Sequence, residues 1–166
     1  KVLREQRVKP APERPTSWRT FVRSHAHLIA AADFFTTEVW TARGLVTYYT
    51  LFVIDVSSRM VRIAGTTTNP TAAWMTQVAR NLTDCVDGFL TGKRYLILDR
   101  DALYAPAFVA TLRGAGVEVT RTAYRAPNMN AYAERFVRSI KSECLDRMIF
   151  VGQESLERAI REYTEN

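Results

Sequence analysis

The sequence predicts an α/β domain built on a mixed five-stranded sheet, an antiparallel meander extended by parallel strands and flanked by helices. Three observations carry that reading. Residues 28–67 hold three successive runs rich in β-branched and aromatic side chains, separated by short turns. At about residue 71 the apolar period lengthens from that of a strand to that of a helix. Beyond it, strand-like and helix-like segments alternate, which implies helices on the faces of the sheet.

Each element follows from its local pattern. Leu28–Trp40 is apolar, aromatic and Thr-rich, and reads as the first strand, with Asp33 inside it. Val46–Val56 is β-branched and aromatic throughout and reads as the second; Ser57, Ser58 and Arg59 form a turn, and Met60–Thr67 is the third. Over Thr71–Val86, Ala72, Met75, Val78, Ala79 and Leu82 recur at helical spacing, with Thr71 as the start signal after Pro70. Asp87, Gly88 and Gly92 end that helix. Arg94–Leu98 is a short, almost wholly apolar strand, the pattern of a central strand covered on both faces. Pro106–Arg113 reads as a helix closed by Gly114 and Gly116, and Val117–Thr122 as a strand. Tyr124–Asn130 is a Pro- and Asn-rich loop, Ala131–Arg147 a helix, and Glu154–Tyr163 another. In this order the first and fourth strands lie side by side and bring Asp33 near Asp99.

The length of 166 residues suits one domain, expected over 18–166, behind a basic, Pro-containing arm over 1–17. An apolar fraction of 47% argues against wholesale disorder. The net charge of +6 suggests a polyanionic partner, yet residues 1–23 hold seven basic and two acidic groups, leaving +1 for the other 143 residues. That arm reads equally as a phosphate contact or a solvated linker. Cys85 and Cys144 lie far apart, each in a helical pattern, and are expected as buried free thiols in a reducing compartment. His25 and His27 lack a Cys partner for a zinc site. No apolar run approaches a membrane span and no signal-peptide layout opens the chain, so a cytoplasmic location is expected.

Three acids stand beside core elements: Asp33 in IAAADFF, Asp99 in YLILDRD and Glu134 in NAYAERF. Carboxylates are costly to bury unless paired or bound to a metal, and hard divalent cations prefer oxygen ligands. Metal-assisted phosphodiester chemistry is the task such a set would serve. Asp33, flanked by Ala31, Ala32, Phe34 and Phe35, requires a partner. Asp99 shares its reading with Asp101 two residues on, and both also fit strand-end turns. On the third helix Ala133, Val137, Ile140 and Cys144 mark the buried stripe, while Glu134, Arg138 and Lys141 run one residue round. Glu134 reads either as a surface ion pair with Arg138 or as the third acid of a metal site. Asp55 reads as a turn former.

These residues together resemble the catalytic core of the retroviral-integrase and DDE-transposase superfamily, especially its bacterial insertion-sequence members. The resemblance runs from about Trp18 to the C-terminus and includes AADFF and the hairpin VIDVSSRMV. Asp99-Arg100-Asp101-Ala102-Leu103-Tyr104 matches the family's Asp-x-Gly-x-x-aromatic motif, and Asn130-Ala131-Tyr132-Ala133-Glu134-Arg135 its third motif. That register selects Asp99 over Asp101. It also shows two departures: Asp101 stands where the family has Gly, and 34 residues separate Asp99 from Glu134, one fewer than usual.

The resemblance implies an RNase H-like fold in which Asp33, Asp99 and Glu134 bind two Mg²⁺ or Mn²⁺ ions and cleave and join DNA strands. It further implies DNA contacts by Asn130, Arg138 and Lys141, transposon ends and target DNA as partners, and at least a dimer on a bacterial nucleoid. A C-terminus short of the full catalytic core is expected on the same basis. A nuclease that cleaves without joining and a non-catalytic DNA-binding module are the competing readings.

Overall fold

The computed structural model describes residues 17–123 and 130–166. The expected arm up to residue 16 and the loop over 124–129 lie outside the described residues.

Ser17 opens the first helix, α1 (Trp18–His25), by accepting a hydrogen bond from the Thr20 amide at 3.2 Å. Trp18, Phe21 and Val22 turn toward the sheet, where the Phe21 ring meets Tyr95 edge-on at 5.6 Å. The sequence predicts no helix here, because the surrounding prolines and basic charge disguise a period only two turns long.

Next come β1 (Ile29–Thr41), β2 (Gly44–Asp55) and β3 (Val61–Thr67), paired antiparallel as expected. Helix α2 (Ala72–Leu82) leads to β4 (Tyr95–Leu98), and α3 (Pro106–Gly114) to β5 (Glu118–Arg121). Strand β4 pairs parallel with β1, and β5 parallel with β4, giving the order β3-β2-β1-β4-β5. Helix α4 (Ala131–Glu143) is followed by a two-residue strand, β6 (Phe150–Val151), and α5 (Gln153–Glu165). Strand β6 joins the sheet beside Val39 and Trp40 of β1. It is too short to leave a periodic signal, so it is absent from the sequence prediction.

The period of two along β1 divides its side chains between two cores. Ala30 and Ala32 face α2 and α3, among Met75, Phe108 and Leu112. Ile29, Ala31 and Phe35 face α1, α4 and α5, among Val22, Ile140 and Leu156. Each fully buried side chain of this size contributes about 1.5–3 kcal/mol of transfer free energy. The small alanines let helices approach both faces. Gly65 does the same for β3, where a Cβ would stand 2.7 Å from the Trp74 ring.

The β2–β3 turn ties distant parts together. Asp55 Oδ1 accepts from the Ser57 amide at 2.9 Å and the Ser57 hydroxyl at 2.8 Å, so the turn-former reading holds. Its Oδ2 also pairs with Lys93 Nζ at 2.7 Å, and Lys93 donates to the His27 carbonyl at 2.9 Å. Burial pushes the Asp55 carboxyl up, but bonds from Lys93 and Ser57 and the Lys93 charge outweigh it and hold it at about 2. Arg59 occupies the left-handed region at φ 66° and lays its guanidinium 3.7 Å from the Tyr132 ring centroid. The hairpin turn is thereby fastened to the first turn of α4.

Two helices end earlier than their patterns predict. Helix α2 stops at Leu82 because Thr83 folds its hydroxyl back onto the Ala79 carbonyl at 2.8 Å, and the Gly88 amide donates to Asp84. Cys85 therefore sits in an exposed turn, which corrects the expectation that it is buried. Cys144 is half-buried at the end of α4, and both thiols are free. Helix α4 ends at Glu143, where Cys144 leaves helical geometry and a 3₁₀ turn carries Leu145 into the core. No helix among the described residues is long and apolar enough to cross a membrane.

Candidate active site

Strand periodicity aims two of the acids at one face. Ala31 and Ile97 pair across β1 and β4 and both belong to the core beneath α4. Two residues further along stand Asp33, still within β1, and Asp99, the first residue past β4; strand alternation carried to that residue puts both on this face. Neighbouring strands lie about 4.8 Å apart, so the two carboxylates are near neighbours without any change in backbone.

Helix α4 is then docked directly over Asp33. Ala133 is fully buried against the sheet. Phe136 packs its ring 4.6 Å from that of Phe52, and Phe52 is the β2 residue paired with Asp33. At the start of the helix Asn130 donates from Nδ2 to the Ala32 carbonyl at 3.3 Å, one residue from Asp33. At the far end Tyr163 of α5 donates to Glu143 at 2.9 Å. Glu134, on the solvent-facing side of this first turn, is exposed.

The charges of the acids act on one another. The Asp33 carboxyl is pushed up to about 6, by burial first and by the charges of Asp99, Glu134 and Asp101, against the Phe34 amide that donates to Oδ1 at 2.8 Å. Asp99 is raised too, by burial first and by the Asp101 charge, against the Asp101 amide and the Arg121 charge. Both acids cap the turn, Asp99 Oδ1 accepting from the Asp101 amide at 3.1 Å and Asp101 Oδ1 from the Leu103 amide at 2.9 Å, and they differ in burial: Asp99 is half-buried and Asp101 exposed. Among the described residues the one ion pair within 4.0 Å is Lys93–Asp55, so Glu134 does not pair with Arg138.

The donor set fits a hard divalent cation in kind: carboxylate oxygens of like charge, held by three elements, with no ion-paired cation among them. It is not drawn together, since no group of three or more His, Cys, Asp or Glu among the described residues is arranged to hold a metal ion. Asp33 and Asp99 sit on the sheet, whereas Glu134 is an exposed side chain on a helix whose preceding loop lies outside the described residues. Closing the set therefore falls chiefly to Glu134.

The residues expected to meet DNA are placed differently from one another. Asn130 is 2% exposed and bonded to β1, so it braces the helix against the strand rather than offering a surface contact. An asparagine in a polar loop gave no sign of that burial. Arg138 is exposed and Lys141 half-exposed on α4. Arg138 lines a shallow concavity with Arg135, Ser139 and Ser142, which adds Arg135 to the basic face. Its signal was the i, i+3 spacing of the two arginines. A larger groove of about 570 Å³, between β3 and α5, contains none of the four acids.

Comparison with known proteins bears on the fold and on one stretch of sequence. The profile of the integrase core domain family matches residues 115–166, the segment that includes β5, α4 and α5. No curated protein matches the chain. The structure is similar to the catalytic domain of the Mos1 mariner transposase, with a TM-score of 0.66 over 95% of this chain and 84% of that one, at 15% identity. It is also similar to a chain of the simian T-cell lymphotropic virus intasome in complex with the PP2A regulatory subunit B56 gamma. There the TM-score is 0.51 at 15% identity, over 70% of this chain and 39% of the other. The fold is RNase H-like, shared with transposase and integrase catalytic cores.

Proposed function

We infer that this chain is the catalytic domain of a DNA transposase or integrase that cleaves and joins DNA strands with a divalent metal. The observation that supports the reading most is the set of like charges around Asp33 of β1, which reach it from Asp99 and Asp101 just past β4 and from Glu134 in the first turn of α4. A structural protein gains nothing from such a set, because it is repulsive. A metal-dependent phosphoryl-transfer site requires it.

In this reading Asp33, Asp99 and Glu134 hold Mg²⁺ or Mn²⁺, two ions in the active complex. The bound metal would activate a water or 3′-hydroxyl nucleophile and stabilise the leaving oxygen. Asp33 and Asp99 supply the fixed part of the site, because sheet hydrogen bonds set their backbones. Glu134 arrives from a helix held by Asn130, Ala133 and Phe136, and completes the set. Arg135, Arg138 and Lys141 bind the phosphodiester backbone, giving affinity without sequence reading. The protein would act on transposon ends and target DNA in the cytoplasm of its host, as a homo-oligomer.

The test uses Glu134→Gln. Glu134 is exposed and makes no ion pair among the described residues, so the substitution should leave the fold unchanged. Incubated with a pre-cut duplex end and target DNA in Mn²⁺, the unaltered chain should form joined product, and E134Q should lose it by at least about 100-fold. Full activity in E134Q overturns the assignment. Cleavage without joined product in the unaltered chain moves it to the nucleases.

A further inference from the structure

Arg59 is the one non-glycine residue at positive φ among the described residues, at 66°. That region crowds the Cβ of an L-residue, and glycine would occupy it freely. The turn holds its backbone there: the Arg59 amide donates to the Asp55 carbonyl at 2.8 Å, and the Met60 amide to the Ser58 hydroxyl at 3.3 Å. The turn is itself tied down, because the Val56 amide donates to the Ile29 carbonyl at 3.1 Å and Asp55 pairs with Lys93. None of these bonds needs an arginine side chain.

The guanidinium makes no hydrogen bond or ion pair among the described residues. Its contact is the face of Tyr132, 3.7 Å from the ring centroid. Tyr132 lies in the first turn of α4, next to the fully buried Ala133, with Glu134 on the other side of that alanine. Successive helical residues stand about 100° apart, so Tyr132 and Glu134 flank the line where the helix meets the sheet. A roll of α4 about Ala133 therefore moves both: as one swings toward the sheet, the other swings away. Phe136, one turn on from Tyr132, is set against Phe52. Arg59 adds a hold in the turn that carries Glu134.

We propose that Arg59 is a positioning residue for Glu134: clasped to Tyr132 by the β2–β3 turn, it fixes the roll of α4 from which Glu134 joins Asp33 and Asp99. The inference rests on the metal-binding reading above and adds a residue that is neither an acid nor on α4. The strained backbone of Arg59 then has a use, since only that turn geometry lays the guanidinium on the ring.

Arg59→Gly removes the guanidinium and suits the backbone, so the fold should persist. Tyr132→Leu removes the aromatic face and leaves the turn untouched. The readouts are Mn²⁺ affinity of the whole chain by titration calorimetry and the melting temperature without metal. R59G and Y132L should each bind Mn²⁺ about fivefold more weakly, because a contact biases an equilibrium by no more than its own worth, here that of an exposed cation–π pair. Tyr132→Phe keeps the face and should bind as the unaltered chain does. R59G should melt at about the same temperature, relief of the turn offsetting the lost contact. In a Glu134→Gln background R59G should have no further effect on affinity, because nothing is left to position. Unchanged affinity in R59G and Y132L, whatever their melting temperatures, marks the clasp as structural only; it overturns the proposal and leaves the metal site standing. A fivefold loss that persists in the E134Q background also overturns it. Failure of the unaltered chain to bind Mn²⁺, or binding undiminished in E134Q, removes the metal reading and the proposal with it.

Discussion

Replacing Asp33 with Asn should make the metal-free protein more stable, and by an amount that depends on pH. Asn keeps an oxygen where the Phe34 amide donates at 2.8 Å, and it fills the same space. What disappears is a charge that the fold disfavours. The carboxyl stands at about 6 in the native state against an ordinary value of 3.8, chiefly through burial, with Asp99, Glu134 and Asp101 adding to it. That difference corresponds to about 3 kcal/mol. Water reaches the half-buried group, so about 2 kcal/mol is the better expectation.

The sign follows from proton binding. Between pH 3.8 and about 6 the native state holds a proton at Asp33 that the unfolded chain has released. Stability from this group is therefore full below pH 3.8 and is lost as pH rises through about 6. D33N should match the parent near pH 4 and exceed it by about 2 kcal/mol at pH 7.5. Urea denaturation at a series of pH values, without metal, measures the difference directly. Adding Mn²⁺ should reverse the ranking, stabilising the parent and not the variant. If D33N is no more stable than the parent at pH 7.5 without metal, the fold does not disfavour the Asp33 charge and the reasoning fails.

Asp55 carries the opposite sign. Its carboxyl is held at about 2, so its contribution is present above pH 3.8 and fades as pH falls toward 2. Asp55→Asn keeps the turn acceptor and loses the ion pair to Lys93, and should cost about 1–2 kcal/mol in urea denaturation at pH 7. That cost should shrink on acidification, and a pH-independent cost would mean the turn bonds alone matter. The double substitution Arg135→Ala with Arg138→Ala should weaken DNA binding alike across sequences and flatten its salt dependence by about two phosphate contacts. An unchanged salt slope would clear this face of α4 of any role in DNA binding.

Much of this protein is legible in its sequence. The alternation of β1 to β3, the 3.6 period of α2 and the buried stripe of α4 are local patterns, and local patterns survive in one dimension. The pairing of β1 with β4 followed from element order, so the meeting of Asp33 and Asp99 could be anticipated. The short elements could not: α1 spans two turns and β6 two residues, and neither repeats its period enough to be seen.

The choice between readings of single residues belonged to the tertiary structure. The spacing of Glu134 and Arg138 allowed an ion pair, and only the folded geometry shows that none forms. Asn130 looked like a surface residue in a polar loop, yet it is buried against the Ala32 carbonyl across 98 positions of chain. Lys93 carried no signal at all until folding set it beside Asp55. The Tyr104 hydroxyl, buried without a partner among the described residues, is likewise invisible in an aromatic that packs as any aromatic would. Sequence alone determined which of the longer elements form and which faces they bury, because sterics and periodicity act between near neighbours. Tertiary structure alone decided which charges feel one another, because desolvation and Coulomb interaction depend on distance in space.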